Sequence, residues 1–174
     1  MSCRAVLSIG GNQGDALALL RAVVDAAADE GILRAVASVY ATPPWGGVAQ
    51  DDFLNAALVV EHPGSPGDVL EWGFEREREA GRTRDVRWGP RTLDVDVVVA
   101  EEDGHAVTSD DPTLTLPHPR ARERAFVLVP WLEIEPGAVL DSTPVQDLVR
   151  RLDPADVSAV RRLGHRLAPD GRTD

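Results

Sequence analysis

Four arginines fall within ten positions of this sequence, Arg82, Arg84, Arg87 and Arg91, with only Asp85 against them. Two carboxylates follow at once, Asp94 and Asp96, spaced two apart inside a strand-like run. Guanidinium forks bind phosphate oxygens in pairs. Magnesium takes carboxylates together with phosphate oxygens and retained waters. Cations followed by paired carboxylates therefore suit a polyanion held with a divalent metal. Leu93, Val95, Val97 and Val99 alternate with Asp94 and Asp96, which puts both carboxylates on one strand face, about 7 Å apart at the backbone. An edge strand with polar-outward alternation would give the same Asp-x-Asp spacing, but it leaves the arginines before it unexplained. All 18 basic residues are arginine, so only their clustering carries information, not the choice of Arg over Lys.

The elements that must hold these groups can be read from the two flanks. Residues 4–9 predict a first strand, ended by Gly10-Gly11-Asn12, a tight turn in preference to a phosphate cradle because it lacks a P-loop or dinucleotide-binding spacing. Asp15 is an N-cap candidate for a helix whose apolar face is Leu17, Leu20, Val24 and Ala27 and which stops at Gly31. Residues 32–42 predict one second strand running into Thr42-Pro43-Pro44-Trp45, and Phe53–Glu61 a third. Within that third strand Asn55 is a polar amide in an apolar run, and a buried amide must find hydrogen-bond partners. It either satisfies local backbone or reads the edge of a flat heterocycle. Ser65, Pro66 and Asp68 start a second helix that ends at Gly81. Gly81, Gly89 and Pro90 make residues 82–90 a loop, expected to be mobile and to expose Trp88. Residues 101–112 read as an acidic loop or hairpin excursion with a surface His105. A helix is expected from Pro119 to a stop at Pro130, and a last short one capped by Ser142-Thr143-Pro144.

Composition narrows the partners. The chain has 174 residues and a formal net charge of -11, which suits one domain and disfavours a nucleic-acid backbone as partner. It does not disfavour a small phosphate ligand, because exposed charges beyond about 8 Å are screened at physiological salt. Cys3 is the single cysteine, which excludes an intrachain disulfide and fits a cytoplasmic setting. The apolar stretch Ala5–Ile9 is too short for a signal peptide, and no run reaches membrane-spanning length. A monomer binding small molecules, with neither nucleic acid nor membrane as partner, is the expectation. Residues 1–164 form the expected single domain, and 165–174 a frayed polar tail.

The segment Arg87-Trp-Gly-Pro-Arg-Thr-Leu-Asp-Val-Asp96 resembles the signature of the 6-hydroxymethyl-7,8-dihydropterin pyrophosphokinase family. Ile9-Gly-Gly-Asn12, Tyr40-Ala-Thr-Pro-Pro44, Phe53-Leu-Asn55, Leu116-Pro-His118 and Arg124-Ala-Phe126 occur in the family's order. The resemblance implies an α+β, ferredoxin-like (βαββαβ) core with added C-terminal helices and a hairpin. It implies transfer of diphosphate from ATP to the pterin hydroxymethyl group, leaving AMP. Two magnesium ions on Asp94 and Asp96 are implied, with Arg82 and Arg91 moving onto the phosphates. Glu77, Arg84, Arg87, Trp88, Arg91, Val97, Thr115, His118 and Arg124 fall at ATP positions. Thr42, Pro43, Trp45, Phe53, Asn55 and Phe126 fall at pterin positions, the two phenylalanines sandwiching the ring. The chain departs from the family pattern at Gly11 for serine, Phe53 for tyrosine, and Phe74-Glu75 where a glutamine and a hydrophobic neighbourhood are usual. A ferredoxin-like regulatory module that binds nucleotide or pterin without chemistry is the competing expectation.

Overall fold

The computed structural model describes residues 1–44, 49–81 and 92–169. Its elements in order are β1 (Cys3–Gly11), α1 (Ala16–Asp29), β2 (Leu33–Val36), β3 (Tyr40–Thr42), β4 (Phe53–His62), α2 (Pro66–Glu79) and β5 (Asp94–Glu102). After these come β6 (His105–Ala106), β7 (Ser109–Asp111), β8 (Leu114–Leu116), α3 (Ala125–Ile134), β9 (Val139–Leu140), β10 (Thr143–Pro144), α4 (Val145–Arg151), α5 (Pro154–Ala159) and β11 (Arg161–Arg162). The main sheet runs β11-β3-β4-β1-β5-β6, with β2 also on β4, and all of its pairings are antiparallel. With α1 and α2 on one face, this is the ferredoxin-like order expected. No helix among the described residues is long and apolar enough to cross a membrane.

Period-2 alternation sorts each strand between two cores. Leu7 and Ile9 of β1, Leu58 and Val60 of β4, and Val95 and Val97 of β5 bury against Leu20, Val24, Val69 and Trp72 of α1 and α2. Val6, Ala57, Val59 and Val98 face the other way, onto Val127, Leu128 and Trp131 of α3 and Leu148 of α4. The starts of α1 and α2 are those read from the sequence. The Asp15 carboxylate accepts from the Ala18 N–H at 3.1 Å, and Ser65 and Asp68 form a reciprocal capping box with Pro66 in the first turn. Gly31 and Gly81, at φ +72° and +69°, take the left-handed conformation just past the two helices, where a Cβ would be strained.

Four expectations are corrected. The second strand is two pieces, because Val36 pairs with Leu58 and Tyr40 with Asn55, so one strand carries an extra residue. Ser38 leaves the ladder there, its Oγ donating to the Glu133 carboxylate of α3 at 2.6 Å. Pro130 does not stop α3 but lies buried inside it. A proline inside a helix costs about 3 kcal/mol, and burying Val127, Leu128 and Trp131 at roughly 1.5–3 kcal/mol each outweighs that. Residues before Ala125 form a short 3-10 turn, Ala121–Glu123, in place of a helix from Pro119. No side chain caps α4, since Thr143 and Pro144 pair with β9 instead, and α5 follows it with Asp153 as its cap. Leu167 is buried in the first core, and residues 170–174 lie outside the described ones.

Cys3 is fully buried, and burial first, then the charges of Glu102 and Asp68, push its thiol up to about 11. The thiolate is the reactive form. The native protein is therefore expected to leave a disulfide-exchange reagent unreacted at pH 8 and to release one equivalent on denaturation. Rapid native reaction would contradict this burial.

Candidate active site

The site begins with a register. Gly10 of β1 is paired with Asn55 of β4 on one side and with Asp94 of β5 on the other. Residues directly opposite in antiparallel strands share a sheet face, so Asn55 and Asp94 stand on the same face two strands apart, roughly 9.5 Å between backbones. Ser8 repeats the pattern between Ala57 and Asp96. Thr42 sits opposite Phe53, and Tyr40 opposite Asn55, so Thr42, Phe53 and Asn55, the strand residues expected to contact pterin, extend that face toward β3. Asn55 is buried and its Nδ2 donates to Thr42 Oγ1 at 2.9 Å. Its hydrogen-bond partner is thus another member of the same set. Phe126, in the first turn of α3, packs half-buried against the core on this side of the sheet. The Arg124 guanidinium lies 5.6 Å from its ring centre. Pro43 follows β3 at the surface.

Beside the two aspartates a cavity of about 410 Å³ opens between α2, β5 and the β7–β8 hairpin. Asp94, Asp96 and Val97 form its strand wall, Leu70, Phe74 and Glu77 its helix wall, and Thr115 and His118 the far side. The volume lies in the range of small-molecule sites. Leu70, Phe74 and Glu77 share one helical stripe at i, i+4 and i+7.

Each polar group here has a definite setting. Glu77 is only 4% exposed, and its Oε1 accepts the Val95 N–H at 2.9 Å. Val95 is the residue between the two aspartates, so the Glu77 carboxylate holds the peptide that presents both of them. Thr115 Oγ1 donates to the Asp111 carbonyl at 3.0 Å, closing the hairpin that walls the cavity. His118 donates its backbone N–H to the Val98 carbonyl at 2.8 Å. Its Nδ1 accepts from the Arg120 N–H at 3.2 Å. Burial holds its pKa below the usual imidazole value, Asp96 works against that, and Arg124 and Arg120 add to it. Near neutral pH the ring is therefore uncharged with its proton on Nε2.

Among the described residues no three or more His, Cys, Asp or Glu side chains converge on one metal position. Two carboxylates on one strand face, opening on a cavity, match a magnesium ion that draws its other ligands from phosphate and water.

The structure thus brings together Asp94, Asp96, Glu77, Val97, Thr115 and His118 at the cavity. It sets Thr42, Phe53 and Asn55 on the adjoining sheet face. Arg124 does not line the cavity and stands at the start of α3. Arg82, Arg84, Arg87, Trp88, Arg91 and Trp45 lie outside the described residues. Two features escape sequence reasoning. Gly10 and Gly11 continue β1 instead of ending it. Asn12 then donates to Gln50 Oε1 at 2.8 Å and the Asp51 carbonyl at 3.0 Å, tying the start of α1 to the approach to β4. A partner so far along the chain leaves no local signal.

Comparison with known proteins gives a consistent picture. The family model described as 7,8-dihydro-6-hydroxymethylpterin-pyrophosphokinase (HPPK) matches residues 6–136. A Mycobacterium tuberculosis protein named 2-amino-4-hydroxy-6-hydroxymethyldihydropteridine pyrophosphokinase is 46% identical over 168 residues, covering 91% of this chain and 88% of that one. A protein of the same name from Methylorubrum extorquens is 43% identical over 159 residues, covering 90% and 98%. Among solved structures, Plasmodium falciparum HPPK-DHPS with pteroate matches at a TM-score of 0.60 and 13% identity, covering 87% of this chain and 43% of that one. This chain spans less than half of that longer protein, and the likeness concerns the fold.

Proposed function

The chain belongs to the 7,8-dihydro-6-hydroxymethylpterin-pyrophosphokinase family, ATP-dependent diphosphotransferases of folate biosynthesis, and from that premise we propose how its residues divide the work. ATP occupies the cavity beside β5, its base and ribose against Leu70, Phe74, Val97, Thr115 and His118. The pterin lies on the adjoining sheet face, its ring edge read by Asn55 and Thr42 and its faces held by Phe53 and Phe126, with Pro43 and Trp45 beside them. Asp94 and Asp96 would hold two magnesium ions, which would supply neutralisation of the phosphate charge.

The reaction follows from this placement. The pterin hydroxymethyl oxygen attacks the β-phosphorus of ATP. The bond from that phosphorus to the α,β-bridging oxygen breaks, AMP leaves with the bridging oxygen, and the hydroxyl proton is released. Such transfer asks little covalent work of a protein, so positioning and charge neutralisation dominate. Arg82 and Arg91, with Arg84, Arg87 and Arg124, offset the charge on the transferring diphosphate. Trp88 covers the nucleotide, and Glu77 supports the site through Val95. The reading includes a cytoplasmic monomer; the lone, buried Cys3 supports the cytoplasmic setting.

The observation that carries this proposal is the juxtaposition of the Asp94–Asp96 face with the Thr42–Asn55 pair beside a nucleotide-sized cavity. Purified protein with magnesium, ATP and 6-hydroxymethyl-7,8-dihydropterin is expected to produce AMP and the pterin diphosphate in equal amounts. ADP as the product, or no turnover, would overturn it.

A further inference from the structure

Gly10 occupies an interior strand position, bonded to β4 and β5, where glycine weakens a sheet by comparison with a residue bearing a side chain. Backbone conformation does not ask for it, because the glycines with positive φ are Gly14, Gly31, Gly81 and Gly104. Space does. A Cβ on Gly10 would stand 2.6 Å from Asn55 Oδ1 and 3.1 Å from the Leu54 carbonyl oxygen. Ordinary carbon–oxygen contacts begin near 3.3 Å, so the Asn55 oxygen would have to retreat by roughly 0.7 Å. It has no easy retreat, being 5% exposed with its Nδ2 tied to Thr42 Oγ1 at 2.9 Å.

We infer that Gly10 is a positioning residue for the pterin subsite: its missing side chain is the space that lets the Asn55 carboxamide sit against Thr42 in its recognition geometry. The inference rests on the proposed contact between Asn55 and the pterin. A functional group has to be held within about 0.5 Å of its productive place, and the displacement that a methyl group imposes here exceeds that. Asp94, the other neighbour of Gly10, meets no such contact among the nearest atoms, so the effect falls on the pterin side.

The test is a double-mutant cycle on the full chain, with Gly10→Ala, Asn55→Ala and the double variant, read by pterin KM and by the Kd for ATP. Gly10→Ala is expected to raise the pterin KM roughly 10- to 100-fold, with the ATP Kd changed by less than about twofold. In the Asn55→Ala background, where Oδ1 is gone, the same change is expected to alter pterin KM by less than about twofold. Crowding of Leu54 persists in both backgrounds, so the difference isolates Asn55. If Gly10→Ala alone does not fold, the double variant against Asn55→Ala still decides: equal pterin KM supports the inference and a further tenfold loss overturns it. A Gly10→Ala penalty that persists in both backgrounds, falls equally on ATP, or is absent also overturns it. An unchanged pterin KM in Asn55→Ala alone marks failure of the underlying pterin contact and removes the inference with it.

Discussion

Asp94→Ala and Asp96→Ala are each expected to cut AMP formation by about 10³-fold or more, while the denaturation midpoint stays close to that of the parent. The size follows from what the carboxylates offset. A metal clamp on a phosphoryl group is worth several kcal/mol of charge stabilisation, and about 4 kcal/mol corresponds to roughly 10³ in rate. Stability is expected to change little because both side chains are only half-buried, on the cavity wall and in neither apolar core. The measurement is a magnesium titration of AMP release for each variant, alongside a urea transition. Activity within tenfold of the parent in either variant would remove that aspartate from the metal-binding pair. Asp94→Asn and Asp96→Asn keep the shape and lose the charge, so equal losses in the asparagine variants would trace the effect to charge instead of packing.

Glu77→Ala carries the second large effect, and on two readouts together. The Glu77 carboxylate accepts the Val95 N–H at 2.9 Å and is 4% exposed, so its removal leaves a buried donor unpaired. Hydrogen bonds to charged groups contribute about 1.5–3 kcal/mol. For a chain of this length that lowers the thermal midpoint by roughly 3–12 °C. Because Val95 lies between the two aspartates, kcat should fall as well, by about 10- to 100-fold for a displacement near 1 Å. Glu77→Gln keeps an acceptor oxygen in place and is expected to recover most of both losses. An alanine variant with parental kcat and midpoint would show that β5 holds its aspartates without help from α2. A glutamine variant as impaired as alanine would make the charge of Glu77, and not its hydrogen bond, the relevant property.

Much of this protein is legible along the chain, and the reason is range. Asp15, Ser65 and Asp68 cap helices through bonds spanning three residues. Asp94 and Asp96 share a face because a strand repeats every two residues. The β1, α1, β4, α2 and β5 segments are strong local patterns, and the motif order points to the family. Pro130 misleads for the opposite reason. Its local cost is real, but the burial that outweighs it comes from a sheet far away in sequence.

What the tertiary structure alone decides is how the Asp94–Asp96 face comes to lie beside the Thr42–Asn55 pair. Gly10 comes to lie between Asn55 and Asp94 only because β1 is central in the sheet, with β4 on one side and β5 on the other. Glu77 finds Val95, and Asn12 finds Gln50 and Asp51, across gaps that carry no periodic signal. Residue types and their spacing already carry the chemistry at hand: arginines beside paired carboxylates, a polar amide in an apolar strand, and the family to which these belong. Strand pairing decided the distances, because register is set by the packing of both sheet faces and not by any residue's neighbours in the chain.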